Sequence, residues 1–188
     1  MLQSTSICIL IISMLGKSVE RKMMAIHYII GSALEPIKTP AIIPHICNDK
    51  KRWGSGFVIA VSKVNPEPET QYRAWSESCN GDLPLGETQI IQIDDNIWVA
   101  NMVAQHDTKV IDGVPPLRID ALRNCLKYVN EYAMGRNATI HAPRIGAVRS
   151  GGNWEDIEKV LMSVLTVETY IYTLEIEKNM WNTEYENA

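Results

Sequence analysis

The stretch HAPRIGAVRSGGNW, residues 141–154, lies between a short apolar run at 137–140 (NATI) and an amphipathic one, WEDIEKVLMSVL. It holds three glycines, Gly146, Gly151 and Gly152, with two arginines and a serine among them. Glycine tolerates positive φ and brings backbone N–H groups close to a ligand with no Cβ in the way. A strand, a loop of this kind and a helix leave consecutive N–H donors and the positive helix end facing one place, which suits an anion. The stretch thus predicts a β–loop–α unit with a donor-rich turn.

Outward from it, the elements alternate. On the C-terminal side Asn153 suits a helix N-cap, with Glu155 and Asp156 in the first turn. ETYIYTL then reads as a closing strand. On the N-terminal side, Leu117, Ile119, Leu122, Leu126, Val129 and Met134 recur at near-helical spacing and predict a helix that Gly135 caps. TQIIQI and IWVANMVA flank Asp-Asp-Asn as a hairpin. FVIAVSKV follows a Gly-Ser-Gly turn and reads as a helix ended by Pro66 and Pro68, with ETQYRAWSES as a further helical turn or two. AIHYIIG (25–31) and PAIIPHIC (40–47) read as strands, Pro40 and Pro44 marking uncertain edges of the second. Alternating strands and helices imply an α/β fold with a mixed sheet and helices on both faces. One domain is expected over 24–175, with residues 1–23 an extension outside the core and 176–188 an acidic tail.

The chain has 188 residues, 46% of them hydrophobic and 21% charged, with net charge −4. That is one domain's worth of core, and it argues against a general nucleic-acid-binding surface, which needs a basic excess. A local anion site of backbone donors needs no such excess. Cys8, Cys47, Cys79 and Cys125 form no CxxC pair and no zinc spacing, so reduced thiols are expected. The apolar run at 7–15 is short of the roughly 20 residues that span a bilayer, and MLQSTS has no basic n-region. No membrane association is expected. The location expected is cytoplasmic, or nuclear in a eukaryote, and the state a monomer.

Ligands of such folds sit beyond the carboxyl ends of the strands. Three loops reach that position: GSALEP, NDKKRWGSGF and PRIGAVRSGG. The glycine loops match neither a Walker A, since no GK[ST] follows, nor a GxGxxG after the first strand. His45, His106 and His141 lie near strand ends but in no ligand spacing, so neither a metal nor another cofactor is expected. Asp49, beside Asn48, stands in the second loop.

IHYIIGSALEP, HICNDKKRWGSGFVIAVSK, IWVANMVAQH and HAPRIGAVRSGGNWEDIEKVL, with YIYTL last, together resemble a macro domain, the ADP-ribose-binding module. The likeness runs from 25 to 174, most specifically in PRIG, the glycine loop and NW. It is nearest the subgroup of the terminal ADP-ribose protein glycohydrolase and the macro module of a poly-ADP-ribose-activated chromatin remodeller. The resemblance implies a three-layer α/β/α architecture and, as partner, ADP-ribose or an ADP-ribosylated macromolecule. It implies that Ser32, Ala33 and Leu34 meet adenine, with Tyr172 packing nearby. Asn48 would approach the distal ribose, and the backbone of Trp53, Gly54, Ser55, Gly56 and Phe57 the diphosphate. The third loop would wrap its other side through Pro143, Arg144, Ile145, Gly146, Ala147, Val148, Arg149, Ser150, Gly151, Gly152 and Asn153.

Three positions depart from the family pattern. The usual aspartate of the first loop is Ser32, which accepts without charge assistance. The lysine nucleophile and loop aspartate of the glycohydrolases fall on Gln105 and Ser150, neither of which can take those roles. A binding module is therefore expected. The alternative is a hydrolase of ADP-ribose 1''-phosphate or of an ADP-ribose ester, with water positioned by Asn48, Asp49 or His106.

Overall fold

The computed structural model describes residues 26–147, 150–181 and 185. The extension at 1–23, together with Val148 and Arg149, lies outside the described residues, as do 182–184 and 186–188 of the tail. The elements are β1 (Ile26–Ile30), β2 (Ala41–Asn48), α1 (Phe57–Val64), α2 (Glu67–Ser78), β3 (Thr88–Asp94), β4 (Ile97–Gln105), α3 (Ile119–Met134), β5 (Thr139–Pro143), α4 (Trp154–Val164) and β6 (Thr169–Thr173). A 3-10 helix, Glu175–Met180, follows.

The strands form one sheet in the order β1-β6-β5-β2-β4-β3. All neighbours are parallel except β3 and β4, the expected hairpin, which turns at Asp95 and Asn96. Asn96 takes a φ of 58°, which asparagine tolerates in such turns. Side-chain alternation along the strands feeds two cores. Ile42, Ala100 and Met102 pack with Leu122, Leu126 and Val129 of α3 and Ile157 and Leu161 of α4. Ile43, Val99 and Val103 face the other way, onto Val58 and Val61 of α1 and Tyr72 of α2. The molecule is therefore a three-layer α/β/α sandwich with a mixed sheet.

Two local expectations are corrected. Pro44 lies inside β2, in the middle of the sheet, and not at an edge of the strand. The place is tolerated because pairing of β2 with β5 ends at Ile42↔Ile140, so the β5 ladder needs no N–H from Pro44. Gly135 closes α3 in right-handed geometry, φ −64°, and the left-handed residue is Asn137, φ 50°. The Ala138 N–H donates to the Ala133 carbonyl at 2.9 Å, the closing bond of a Schellman turn, so the helical path runs one half-turn past the glycine.

The topology opens a crevice. From β2 the chain leaves over the α1–α2 face, and from β5 it leaves over the α4 face. Adjacent parallel strands whose connections depart in opposite directions form a switch point, where ligands of open α/β sheets sit. Here β2 and β5 pair only at Ala41↔Thr139 and Ile42↔Ile140, and their carboxyl ends splay.

Candidate binding cleft

A cleft of about 700 Å³ occupies that switch point. One wall is the start of α1. Gly56 is the N-cap, with φ 78° and ψ −147°, and no side chain caps the helix. No acidic residue lies in the first turn either. The first N–H groups of α1 are thus left for a ligand, at the positive end of the helix. Gly54, Ser55, Gly56 and Phe57 all line the cleft here.

The opposite wall is the turn after β5, with Pro143, Arg144, Ile145 and Gly146 lining. The turn closes on itself, since the Gly152 N–H donates to the Gly146 carbonyl at 3.0 Å. It is also tied to the start of α3, where the Leu117 N–H donates to the Ser150 carbonyl at 3.1 Å. Arg144 is held rather than mobile. Its Nε donates to Thr173 Oγ1 at 3.0 Å, and its guanidinium lies 5.1, 4.7 and 4.4 Å from the rings of Tyr28, Trp154 and Trp181. Burial lowers its pKa from the usual arginine value.

At the β1–β6 end the cleft is lined by Ser32, Ala33 and Tyr172. The Ser32 hydroxyl accepts from the Leu34 N–H at 3.2 Å, folding the first loop into a tight turn. Tyr172 is fixed by its hydroxyl, which accepts from the Ile37 N–H at 3.2 Å and bonds His141 Nδ1 at 2.9 Å. His141 is fully buried and stacks on Tyr170, centroids 4.8 Å apart. Burial holds its pKa at about 4, so it stays neutral at pH 7. His45 is likewise held at about 4 by burial and donates from Nε2 to Asn101 Oδ1 at 2.6 Å. Both histidines brace the walls and are poorly placed as acid–base groups.

At the β4 end, Gln105 and Ser150 line the cleft and satisfy each other. Ser150 Oγ donates to Gln105 Oε1 at 2.6 Å, and Gln105 Nε2 donates to the Asp107 carbonyl at 2.7 Å. Asn48 also lines the cleft, but its side-chain oxygen accepts from the Lys50 and Arg52 N–H groups, both at 3.0 Å, and its amide donates to the Arg52 carbonyl. It sets the loop's shape. A bulge between Cys47 and Asn48 shifts the β2–β4 register and sets Asn48 opposite Gln105.

Several expected positions are not among the lining residues. Leu34 and Trp53 pack into the α1–α2 core, since both are apolar side chains whose loops run inward. Ala147 packs against the α3–α4 core. Gly151 faces Pro115, and Gly152 sits among Leu117 and Ile157. Asn153 is engaged as the N-cap of α4, accepting from the Asp156 N–H. Asp49 and His106 are joined to each other through Oδ2 and Nδ1, outside the lining, and Asp49 Oδ1 accepts from the Asp107 N–H at 2.8 Å. Arg52, Thr108, Leu174, Glu177 and Trp181 line the cleft without having been expected. For the last three no local signal exists, because they sit in a short polar tail with no periodicity.

Among the described residues, no three His, Cys, Asp or Glu side chains gather as a metal site, and no helix is long and apolar enough to cross a membrane. Cys47, Cys79 and Cys125 are free, and burial pushes the Cys125 thiol up to about 11 and Cys47 well above its usual value.

A six-stranded mixed sheet between two helical layers, with a bare helix start and a closed glycine turn at its switch point, defines a three-layer α/β protein with its cleft at that point. No family model matches the chain. A macrodomain protein from Streptomyces coelicolor is 38% identical, with a TM-score of 0.70 over 79% of this chain and 99% of that one. The chromodomain-helicase-DNA-binding protein 1-like of Mus musculus is 31% identical over 163 residues, 79% of this chain. The chain spans only 18% of that relative's length. The ADP-ribose 1''-phosphate phosphatase of Candida albicans is 24% identical over 157 residues, 79% of this chain and 99% of its own. The chain belongs to the macrodomain family.

Proposed function

We propose that the cleft binds ADP-ribose, free or as the terminal group of a modified macromolecule. The observation that carries this is the uncapped start of α1 opposite the closed Gly146–Gly152 turn, across splayed strands. That is a place for a diphosphate held by backbone N–H groups. The purine would lie at the first-loop end, beside Ser32, Ala33 and Tyr172, and the distal ribose at the Gln105–Ser150 end. A volume of about 700 Å³ suits a ligand of this size. Family membership and a relative named for ADP-ribose 1''-phosphate support the same ligand class. Titration calorimetry with ADP-ribose on the full chain tests it. Saturable heat at micromolar ligand is expected, and no heat at millimolar ligand would overturn the proposal.

Binding stands ahead of hydrolysis because Gln105 and Ser150, at the distal end, satisfy each other and offer neither a nucleophile nor a strong base. The hydrolytic reading keeps one observation in its favour, the Asp49–His106 pair next to Gln105 in the chain. A phosphate-release assay with ADP-ribose 1''-phosphate separates the two. No release is expected. Turnover lost on His106→Ala would reverse the order.

A further inference from the structure

Among the described residues lining the cleft, Glu177 carries the one carboxylate. It belongs to the segment after β6, which is pinned at both ends. At the near end, the Thr173 carbonyl accepts from the Gly31 N–H at 2.9 Å, setting Leu174 beside the first loop. At the far end, the Trp181 ring lies 4.4 Å from the Arg144 guanidinium and meets Trp154 edge-on at 6.3 Å. Between these anchors the 3-10 helix turns two sets of residues in opposite directions. Ile176 is 88% exposed and Met180 61%, whereas Glu177 and Trp181 are half-buried and line the cleft. The Trp181 indole N–H is buried with no acceptor among the described residues. Glu177 makes no side-chain hydrogen bond there either.

The residues of the first loop that line the cleft, Gly31, Ser32 and Ala33, carry no charge, and Glu35 of that loop is not among the lining. Ser32 stands there, and its hydroxyl already accepts from the Leu34 N–H. A 6-aminopurine presents an exocyclic N–H₂ donor, which a carboxylate accepts with charge assistance and a serine does not. We propose that Glu177 is the specificity-determining acceptor for the 6-amino group of the purine, on a wall that Trp181 anchors. This rests on the ADP-ribose reading of the cleft. Glu177 acts by contact with the base, and Trp181 acts as a positioning residue.

The test is calorimetry on the full chain with ADP-ribose and with inosine diphosphate ribose, whose 6-oxo group accepts where the amino group donates. Wild type is expected to prefer ADP-ribose by about tenfold, the size of one charge-assisted hydrogen bond. Glu177→Gln, whose amide both accepts and donates, is expected to bring the two affinities within about twofold. Trp181→Ala is expected to lower that preference while the protein stays folded by thermal melt. Glu177→Gln with the wild-type preference intact would overturn the proposal and leave ADP-ribose binding standing. Wild type binding neither ligand would instead remove the ADP-ribose reading, and this proposal with it.

Discussion

Gly54 and Gly152 stand in the two loops that face each other across the cleft, and they are glycines for opposite reasons. A Cβ on Gly152 would lie 2.5 Å from Leu117 Cδ2, 2.8 Å from Ile157 Cδ1 and 2.9 Å from the Gly146 carbonyl oxygen. The last is backbone, and it is the acceptor that closes the turn. Gly152→Ala must therefore push the turn off the core, at about 1–3 kcal/mol. A urea midpoint unchanged from wild type would contradict this packing. A Cβ on Gly54 meets nothing within 4 Å. Gly54→Glu is expected to fold as wild type and to weaken ADP-ribose binding at least about tenfold, since it places a like charge beside the diphosphate. Gly54→Ala should bind almost normally. Equal affinity for Gly54→Glu and wild type would displace the diphosphate from the start of α1.

Among the elements, α4 depends most visibly on a single cap. Asn153 accepts from the Asp156 N–H, and Ile157, one turn on, packs beneath Gly146 and Gly152. Asn153→Ala should cost about 1 kcal/mol, and Asn153→Asp should retain most of it. Equilibrium unfolding in urea would show the difference, and equal midpoints for all three would deny the cap. This helix start was legible in the sequence, as were the hairpin, the three loops and the middle of the α3 stripe, because caps, turn residues and periodicity are local. Of that stripe Leu122, Leu126 and Val129 are buried, Ile119 and Met134 are exposed, and Leu117 precedes the helix. Asn137 was not, since Gly135 looked the better cap and only the closure from Ala138 to Ala133 decides between them. Within the site, the glycines marked two loops that line the cleft, through Gly54 and Gly56 on one wall and Gly146 on the other. Leu34 and Trp53 show the complement: side chains in those loops can turn into the core, and local sequence carries no direction. Leu174, Glu177 and Trp181 were invisible because their place is set by Arg144, which gathers Tyr28, Trp154 and Trp181 from distant parts of the chain.

At the scale of the whole molecule, two buried histidines couple the fold to pH. His45 bonds Asn101, whose amide donates to the Pro68 carbonyl at 3.0 Å, so β2, β4 and α2 meet through it. His141 bonds Tyr172 and Thr139 and stacks on Tyr170, with Glu168 raising and Lys38 lowering its proton affinity. Burial holds both at about 4 in the folded protein, against about 6.5 for an exposed histidine. The unfolded chain therefore binds these protons first as pH falls. Their contribution is complete above about pH 6.5 and is lost progressively down to about pH 4, by up to about 1.4 kcal/mol per pH unit for each histidine. Urea midpoints measured between pH 7 and 4.5 should fall, and His141→Gln should make the fall shallower even if it lowers stability at pH 7. A slope through that window identical in His141→Gln and wild type would show that His141 takes no part in it. Because the same imidazole fixes the hydroxyl of Tyr172, at the end proposed for the purine, ADP-ribose affinity in wild type should hold through most of that window and weaken over the range near pH 4 in which folded His141 takes up its proton. In His141→Gln, whose amide does not titrate, affinity should vary less across it.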